Sequence, residues 1–221
     1  MELGISSLGF LVDLAMSGKF ENLFNLFFDS IESCFKFAEE NDKKICEIVL
    51  DPPEILTSEK RQKFIDMCNS FSNIKKQVHG PFIDMGMCSH NDKISQASVE
   101  FYIETAEICL EIDAQIMVIH PGVANFLINS IKNSNTKQLI KAVNKLLDAV
   151  TDLDVMVCME NMPKNVLMLL KEKEIEKFFS AVNRNDLFFC YDTSHGWTND
   201  LDVSYLWEKL SKIIKNIHLV E

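Results

Sequence analysis

The sequence predicts a protein of the α/β class, a (β/α)8 barrel that lacks its eighth strand or ends before it. Short apolar runs alternate with helical patterns along the 221 residues, and the runs begin roughly every 30–40 residues. Strict alternation of this kind implies a parallel sheet. No Gly-rich phosphate loop follows the first run, which favours a closed barrel over a doubly wound sheet. A closed barrel has eight strands in about 250 residues, whereas the pattern here predicts seven.

The first half of the chain contains four predicted strands and three predicted helices. The strands cover residues 2–8, 45–50, 76–82 and 114–122. The helices cover 22–40, 58–70 and 93–111, where apolar residues recur every three or four positions, and Thr57 or Ser58 is the predicted cap of the second. Pro52 and Pro53 close strand two, the third run stops at Gly80-Pro81 and the fourth at Pro121-Gly122, because proline lacks a backbone donor.

The second half is arranged around the run VMVCMEN, residues 155–161. Its apolar residues are typical of a strand buried on both faces, and they lead directly into Glu160 and Asn161. A buried carboxylate requires a compensating cation, metal or proton. The other predicted elements are helices through 139–150, 175–182 and 206–214, a sixth strand with its loop over 187–196, and a seventh strand over 216–220.

Composition limits the classes of protein that fit this chain. The chain has 47% hydrophobic and 25% charged residues and no linker. This composition predicts one soluble domain over residues 1–221. The net charge of −11 disfavours nucleic acid as a partner without excluding it. Seven scattered cysteines without a CxxC motif predict reduced, buried thiols in a cytoplasmic protein. No apolar run approaches membrane-spanning length, so we expect no membrane partner. The oligomeric state is not predicted.

Imidazole and carboxylate side chains recur where the predicted strands end. In a parallel barrel these strand ends meet at one rim, where barrel enzymes keep their sites. Such ligands suit zinc, manganese or iron(II) and argue against a dedicated calcium site. The sequence therefore predicts a divalent metal site. Its candidate ligands are His79, His120, Glu160, Asp192, His195 and His218.

Five short motifs resemble those of a known superfamily. They are HGPF at 79–82, VIHPG at 118–122, MEN at 159–161, YDTSHG at 191–196 and IHL at 217–219. In this order they are similar to the successive motifs of the xylose-isomerase-like TIM barrels, which include endonuclease IV and the sugar isomerases and epimerases. The resemblance covers almost the whole chain. It implies a TIM barrel with a divalent metal ion, zinc or manganese, at the mouth.

The resemblance also implies roles for the ligands. In trinuclear members the residues matching His79, His120 and Glu160 hold one zinc, and Glu160 bridges to a second zinc held with Asp192 and His218. The residue matching His195 belongs to a third site. In the mononuclear isomerases Glu160, Asp192 and His218 bind one ion with a last-strand Glu. We expect that Glu beyond residue 221, because Glu221 follows His218 too closely to replace it.

Three functions are open at this point. The first is a sugar or sugar-phosphate isomerase or epimerase that acts through a metal-stabilised enediolate, with Glu160 as metal ligand and catalytic group. The second is an endonuclease IV-like zinc-dependent AP endonuclease acting on abasic DNA. The full ligand set favours it, whereas the acidic charge and the sequence MENMPKN oppose it. The third is a barrel that binds a ligand without turnover. We favour the first.

Four further residues are candidates for contact with substrate. Glu47 on the second strand either faces the mouth or pairs with Lys43 or Lys44. The other three are Phe82, which could stack on a sugar or base or pack at the rim, Lys164, which could meet a phosphate or lie solvated in a loop, and Asn161.

Overall fold

A computed structural model describes residues 2–51, 60–124 and 129–219 of the chain. Within these residues seven strands form one sheet in chain order. The four pairings β1–β2, β2–β3, β5–β6 and β6–β7 are parallel, which agrees with the predicted alternation. The strands are β1 (Ile5–Ser6), β2 (Ile45–Val49), β3 (Lys75–His79), β4 (Ala114–Ile119), β5 (Met156–Glu160), β6 (Leu187–Asp192) and β7 (Ile214–His218).

Helices connect successive strands throughout the described residues. A short 3-10 helix, Lys164–Val166, follows β5. The α-helices are α1 (Ser7–Ser17), α2 (Leu23–Glu40), α3 (Lys60–Ser70), α4 (Asp92–Glu111), α5 (Asn129–Ala149), α6 (Glu172–Val182), α7 (Thr193–Thr198) and α8 (Val203–Leu210).

The chain divides into two compact units. The first comprises residues 1–83, 104–117 and 153–155, and the second comprises 84–103, 118–152 and 156–221. In the first unit the ring of Phe35 stacks on that of Phe71, with centroids 4.8 Å apart. In the second unit the rings of Phe179 and Phe189 meet edge to face at 5.5 Å. A single domain over 1–221 stays a prediction.

The start of the chain differs from the predicted strand over residues 2–8. Only Ile5 and Ser6 form a strand, and α1 follows immediately. The reason is local, because the Ser6 hydroxyl accepts a hydrogen bond from the Leu8 N–H at 3.3 Å and so caps the helix. The prediction left residues 9–21 unassigned, and it was wrong about residues 2–4, 7 and 8.

The segment after the sixth strand also differs from the prediction, which treated it as a loop. It forms the short helix α7, because the Asp192 carboxylate accepts the His195 N–H at 2.7 Å and caps its first turn. The predicted cap at Thr57 or Ser58 lies outside the described residues.

Two predictions about composition can be compared with the structure. All seven cysteines are buried and unbridged, as expected for structural thiols. Among the described residues, no helix combines the length and the apolar character that crossing a membrane requires.

The turn after β4 depends on a glycine. Gly122 has φ +80°, and a Cβ there would lie 2.5 Å from the Met85 carbonyl oxygen and 2.6 Å from the Gly86 Cα. We expect Gly122→Ala to lower the free energy of unfolding by roughly 2 kcal/mol or more, because both obstacles are backbone atoms and the conformation disfavours a side chain. Urea unfolding followed by circular dichroism measures this change.

Gly9 is the matched control for that substitution. It lies inside α1, and a Cβ there would meet nothing within 4 Å. Gly9→Ala should leave stability unchanged or raise it by up to about 1 kcal/mol. Equal effects of the two alanines would contradict the steric account of the turn.

Candidate metal centre

Glu160 is the last residue of β5, and it lies at the centre of a polar cluster in the second unit. The strand is buried at four of its five positions, as the apolar run predicted. In the sheet Glu160 pairs with Cys190 of β6. The carboxylate is therefore drawn into the interior, and the residue is only 1% exposed.

Three imidazoles surround this carboxylate. His120, directly after β4, places Nε2 2.9 Å from Glu160 Oε2. His218, at the end of β7, places Nδ1 3.2 Å from Oε1, and His195 on α7 places Nδ1 3.4 Å from the same oxygen. Three separate strand ends thus bring imidazole nitrogens to one buried carboxylate.

Asp192 supplies a second buried carboxylate beside the first. Its Oδ1 lies 3.6 Å from His195 Nδ1, and its Oδ2 lies 3.8 Å from His218 Nδ1. The Ser194 hydroxyl donates to Oδ1 at 2.8 Å. Because Oδ1 also caps α7, the orientation of this carboxylate is fixed by the start of the helix.

The electrostatics of the cluster favour an ionised Glu160. Burial raises the pKa of this carboxyl, but hydrogen bonds from His120, His195 and His218 outweigh burial and hold the pKa well below its usual value. Burial lowers the pKa of His195, yet its hydrogen bond to Glu160 and the two nearby carboxylates raise it overall. The carboxylate is thus charged near neutral pH and attracts positive charge.

Hydrogen bonds to the backbone determine which nitrogen of His195 is available. Its Nδ1 lies 2.9 Å from the Asn161 carbonyl oxygen, and a carbonyl can only accept, so Nδ1 carries the proton. The Nε2 lone pair is therefore the one free to bind a metal. Ligating histidines in proteins are commonly oriented in this way.

Asn161 connects the ends of β5 and β6. Its Nδ2 donates to the Asp192 carbonyl oxygen at 3.0 Å, and its Oδ1 accepts the Asp192 N–H at 2.8 Å. The residue is 0% exposed. Contact between this side chain and substrate stays a prediction, whereas its amide holds Asp192 beside Glu160.

The donor set and its spacing fit a divalent metal ion. Four tetrahedral ligands at 2.0–2.1 Å from zinc lie about 3.3 Å from one another. His120 Nε2 and His218 Nδ1 lie 2.9 and 3.2 Å from the oxygens of Glu160, and His218 Nδ1 lies 3.8 Å from Asp192 Oδ2. In the second unit Glu160, Asp192 and His195, and likewise Glu160, Cys190 and His218, offer ligand atoms within 4.8 Å of one another. Imidazoles with carboxylates suit zinc or manganese.

His79 belongs to the first unit and ends β3. It is buried, its Nδ1 lies 3.0 Å from the Gly80 carbonyl oxygen, and its ring meets that of Phe82 edge to face at 5.1 Å. Nδ1 therefore donates this hydrogen bond, because a carbonyl oxygen can only accept. Its part in the metal site stays a prediction.

The structure gives the remaining substrate-contact candidates different surroundings. Glu47 is buried on β2, where its Oε2 accepts from Gln77 at 2.9 Å, while Lys44, one of its two expected partners, pairs with Asp42. Phe82 is half-buried, and its N–H donates to the Asp51 carboxylate at 2.9 Å. Lys164 is exposed, as expected for a solvated lysine.

Sequence reasoning missed three residues of the cluster. Cys190 lies two positions before Asp192, so the two share one face of β6, a signal that strand alternation could have given. The amide of Asn216 lies 3.2 Å from His218 Nε2. Tyr102, inside the helix predicted over 93–111, accepts the His120 N–H at 3.0 Å and donates to the His120 carbonyl oxygen at 3.3 Å.

Removing the Tyr102 hydroxyl should disturb His120. We expect Tyr102→Phe to lower the free energy of unfolding by about 1–3 kcal/mol, since a buried backbone N–H loses its partner. Affinity for a divalent ion should fall by roughly 10-fold or more, because outer contacts orient the ligand. Urea unfolding and calorimetric titration with zinc measure the two effects.

Tyr205→Phe is the control, because that hydroxyl donates to Glu176 at 2.6 Å on the surface of α6 and α8. This substitution should lower the free energy of unfolding by less than about 1 kcal/mol and leave zinc affinity unchanged. Wild-type affinity in Tyr102→Phe would show that this hydroxyl does not position His120.

Comparison with known proteins identifies the fold. A model of the xylose isomerase-like TIM barrel family matches residues 28–221. A solved D-tagatose 3-epimerase-like protein superimposes with a TM-score of 0.78 at 20% identity, covering 100% of this chain and 76% of that chain. The α/β barrel class predicted from the sequence is therefore confirmed, and the described residues supply seven of its strands.

Two curated relatives also match the chain. An uncharacterized protein of Methanocaldococcus jannaschii is 28% identical over 157 residues, which is 70% of this chain and 59% of that protein. A protein of Aquifex aeolicus named probable endonuclease 4 is 23% identical over 181 residues, 79% of this chain and 62% of that protein. The chain thus spans about 60% of the length of these two relatives.

Proposed function

Because the chain belongs to the xylose isomerase-like TIM barrel family, we propose that it is a divalent-metal-dependent isomerase or epimerase of a sugar or sugar phosphate. The observation that carries this proposal is the buried carboxylate of Glu160, held by the imidazoles of His120, His195 and His218. The similarity to a D-tagatose 3-epimerase-like protein supports the class of substrate.

The proposed ligands are Glu160, Asp192 and His218, with His120, His195 and His79 as further ligands if more than one ion binds. A bound zinc or manganese ion would polarise the carbonyl of a sugar and stabilise an enediolate. The lowered pKa of Glu160 suits a ligand that stays ionised. We propose Glu160 as the residue on which catalysis depends, with Asn161 holding Asp192 in place.

Contacts with substrate are a further part of the proposal. Glu47 and Phe82 are the two candidates in the first unit, where one is buried in β2 and the other is half-buried after β3. Carboxylates accept hydrogen bonds from sugar hydroxyls, and an aromatic ring offers an apolar face to a sugar ring. Lys164 is exposed and would contact only a phosphate group held outside the cluster.

The test is exchange of substrate hydrogen with solvent. A sugar loses the hydrogen on the carbon beside its carbonyl when an enediolate forms, and that carbon takes a deuteron from D2O when the carbonyl is restored. Ketoses, aldoses and sugar phosphates incubated in D2O with manganese- or zinc-loaded protein should therefore gain deuterium there. Nuclear magnetic resonance detects this gain whether or not the product is known. Glu160→Gln should abolish it, whereas Glu176→Gln, a surface carboxylate bound to Tyr205, should not. Loaded protein that exchanges no hydrogen with any sugar would contradict the proposal.

A zinc-dependent phosphodiesterase acting on abasic DNA is the second candidate. The similarity to a probable endonuclease 4 and the presence of all six histidine and carboxylate candidates favour it. The net charge of −11 opposes it, since binding to DNA is driven by Lys and Arg. Cleavage of an abasic duplex at low salt by the zinc-loaded protein, without deuterium exchange into sugars, would favour this candidate over the first.

A further inference from the structure

Helix α1 has an unusual surface for a helix of a folded unit. Its sequence, SLGFLVDLAMS, contains one charged residue, Asp13, and apolar side chains on all sides. Helices that are hydrophobic all round are normally buried. Here Ser7 is the one residue of α1 that is buried. The apolar character of α1 is therefore unexplained by packing within the described chain.

The exposed apolar side chains continue beyond α1 into its neighbours in the first unit. The ring of Phe10 meets that of Phe37 edge to face at 5.7 Å, which joins α1 to α2. We call the exposed apolar residues of this region the α1 surface, and each is between 40% and 83% exposed. The α1 surface comprises Leu3, Leu8, Val12, Met16, Phe20, Leu23 and Phe37.

The α1 surface is large enough for a stable interface. At about 150–200 Å² for a fully exposed large side chain, it offers roughly 600 Å² of apolar area. A standard interface buries about 800 Å² per partner, of which a little over half is apolar. Patches of this size on soluble proteins mark interaction sites.

The spacing within α1 indicates which partner fits. Leu8, Val12 and Met16 are each four residues apart and so form one stripe along the helix. A stripe with equal spacing on either side of its centre is complementary to itself when two helices pack antiparallel. Two-fold homodimers, the commonest oligomers, use self-complementary surfaces of this kind.

We propose that the chain forms a two-fold homodimer through the α1 surface, with α1 antiparallel to its copy and Val12 at the axis. Leu8 of each chain then packs against Met16 of the other. A lipid surface is a poorer fit, because α1 contains no Lys or Arg and the chain carries a net charge of −11. The proposal is independent of the proposed function, since the α1 surface and the Glu160 cluster belong to different units.

Cross-linking at the axis tests the geometry. All seven native cysteines are buried, so Val12→Cys introduces an exposed thiol. Two copies of residue 12 at the axis should form an intermolecular disulfide when copper phenanthroline removes two electrons and the two thiol protons are released. We expect most of the variant to run as a covalent dimer on a non-reducing gel. Val203→Cys, 51% exposed on α8 of the second unit, should remain a single chain.

Solution mass tests the association itself. The unmodified chain should be a dimer by light scattering at about 100 μM, a concentration well above a micromolar Kd. Val12→Glu should give a monomer with unchanged far-ultraviolet circular dichroism, because the residue is nearly half exposed and tolerates a charge. A wild-type monomer at this concentration, or a Val12→Glu variant that stays dimeric, would overturn the proposal.

Discussion

Replacing Glu160 with glutamine is expected to reduce affinity for a divalent ion by at least about 100-fold. This is a larger loss of affinity than the removal of a residue that only hydrogen-bonds to a metal ligand would cause. Glutamine keeps the shape of the side chain but removes the negative charge that His120, His195 and His218 surround. Metal content by mass spectrometry after loading with zinc or manganese, and calorimetric titration of the metal-free protein, measure the loss.

The folding of the variant must be separated from its binding. Glutamine keeps one oxygen that accepts a hydrogen bond, and its NH2 group can donate to an unprotonated ring nitrogen, so we expect far-ultraviolet circular dichroism like that of the unmodified chain. Glu176→Gln is the matched control, because it removes a carboxylate of the same unit that binds Tyr205 rather than an imidazole. A folded Glu160→Gln variant with undiminished metal content would show that the cluster is not the metal centre.

Asn161→Ala should have the second largest effect. It removes two buried hydrogen bonds to the backbone of Asp192 and leaves an N–H and a carbonyl of that residue unpaired. We expect the free energy of unfolding to fall by about 2–4 kcal/mol and metal affinity by roughly 10- to 100-fold, because Asp192 would lose its fixed position. Urea unfolding and zinc titration measure the two effects.

Asn144→Ala is the control for this substitution. Its amide donates to the Ile140 carbonyl oxygen at 3.0 Å within α5, and the side chain is half-buried. Asn144→Ala should lower the free energy of unfolding by less than about 1 kcal/mol and leave zinc affinity unchanged. If Asn161→Ala lowers the free energy of unfolding no more than this control does, the Asn161 amide does not hold the ends of β5 and β6 together.

The positions of the strands were predictable from the sequence because their signal is local. The run before Glu160 is apolar on both faces of the strand, and proline residues mark the ends of strands three and four. Parallel strands in a barrel end at one rim, so the cluster of Glu160, Asp192 and His218 follows from the order of the strands alone. The fold class needed only these short patterns.

Other features depend on contacts that no pattern announces. Helix α1 is apolar on every side, so it lacks the one-sided spacing by which α2 was predicted. The hydroxyl of Tyr102 meets the backbone of His120 across a separation of 18 residues. In contrast, α7 could have been found, because Asp192 stands three residues before His195 in the spacing of a helix cap.

The most direct test of the metal centre is anomalous X-ray diffraction from crystals grown with zinc or manganese. Data collected on either side of the absorption edge of the metal show which peaks arise from that metal, because its anomalous signal changes at the edge. We predict at least one peak about 2.0–2.3 Å from a carboxylate oxygen of Glu160 and from a nitrogen of His218 or His195. Loaded crystals without a peak in this cluster, or with peaks only at surface residues, would contradict the account.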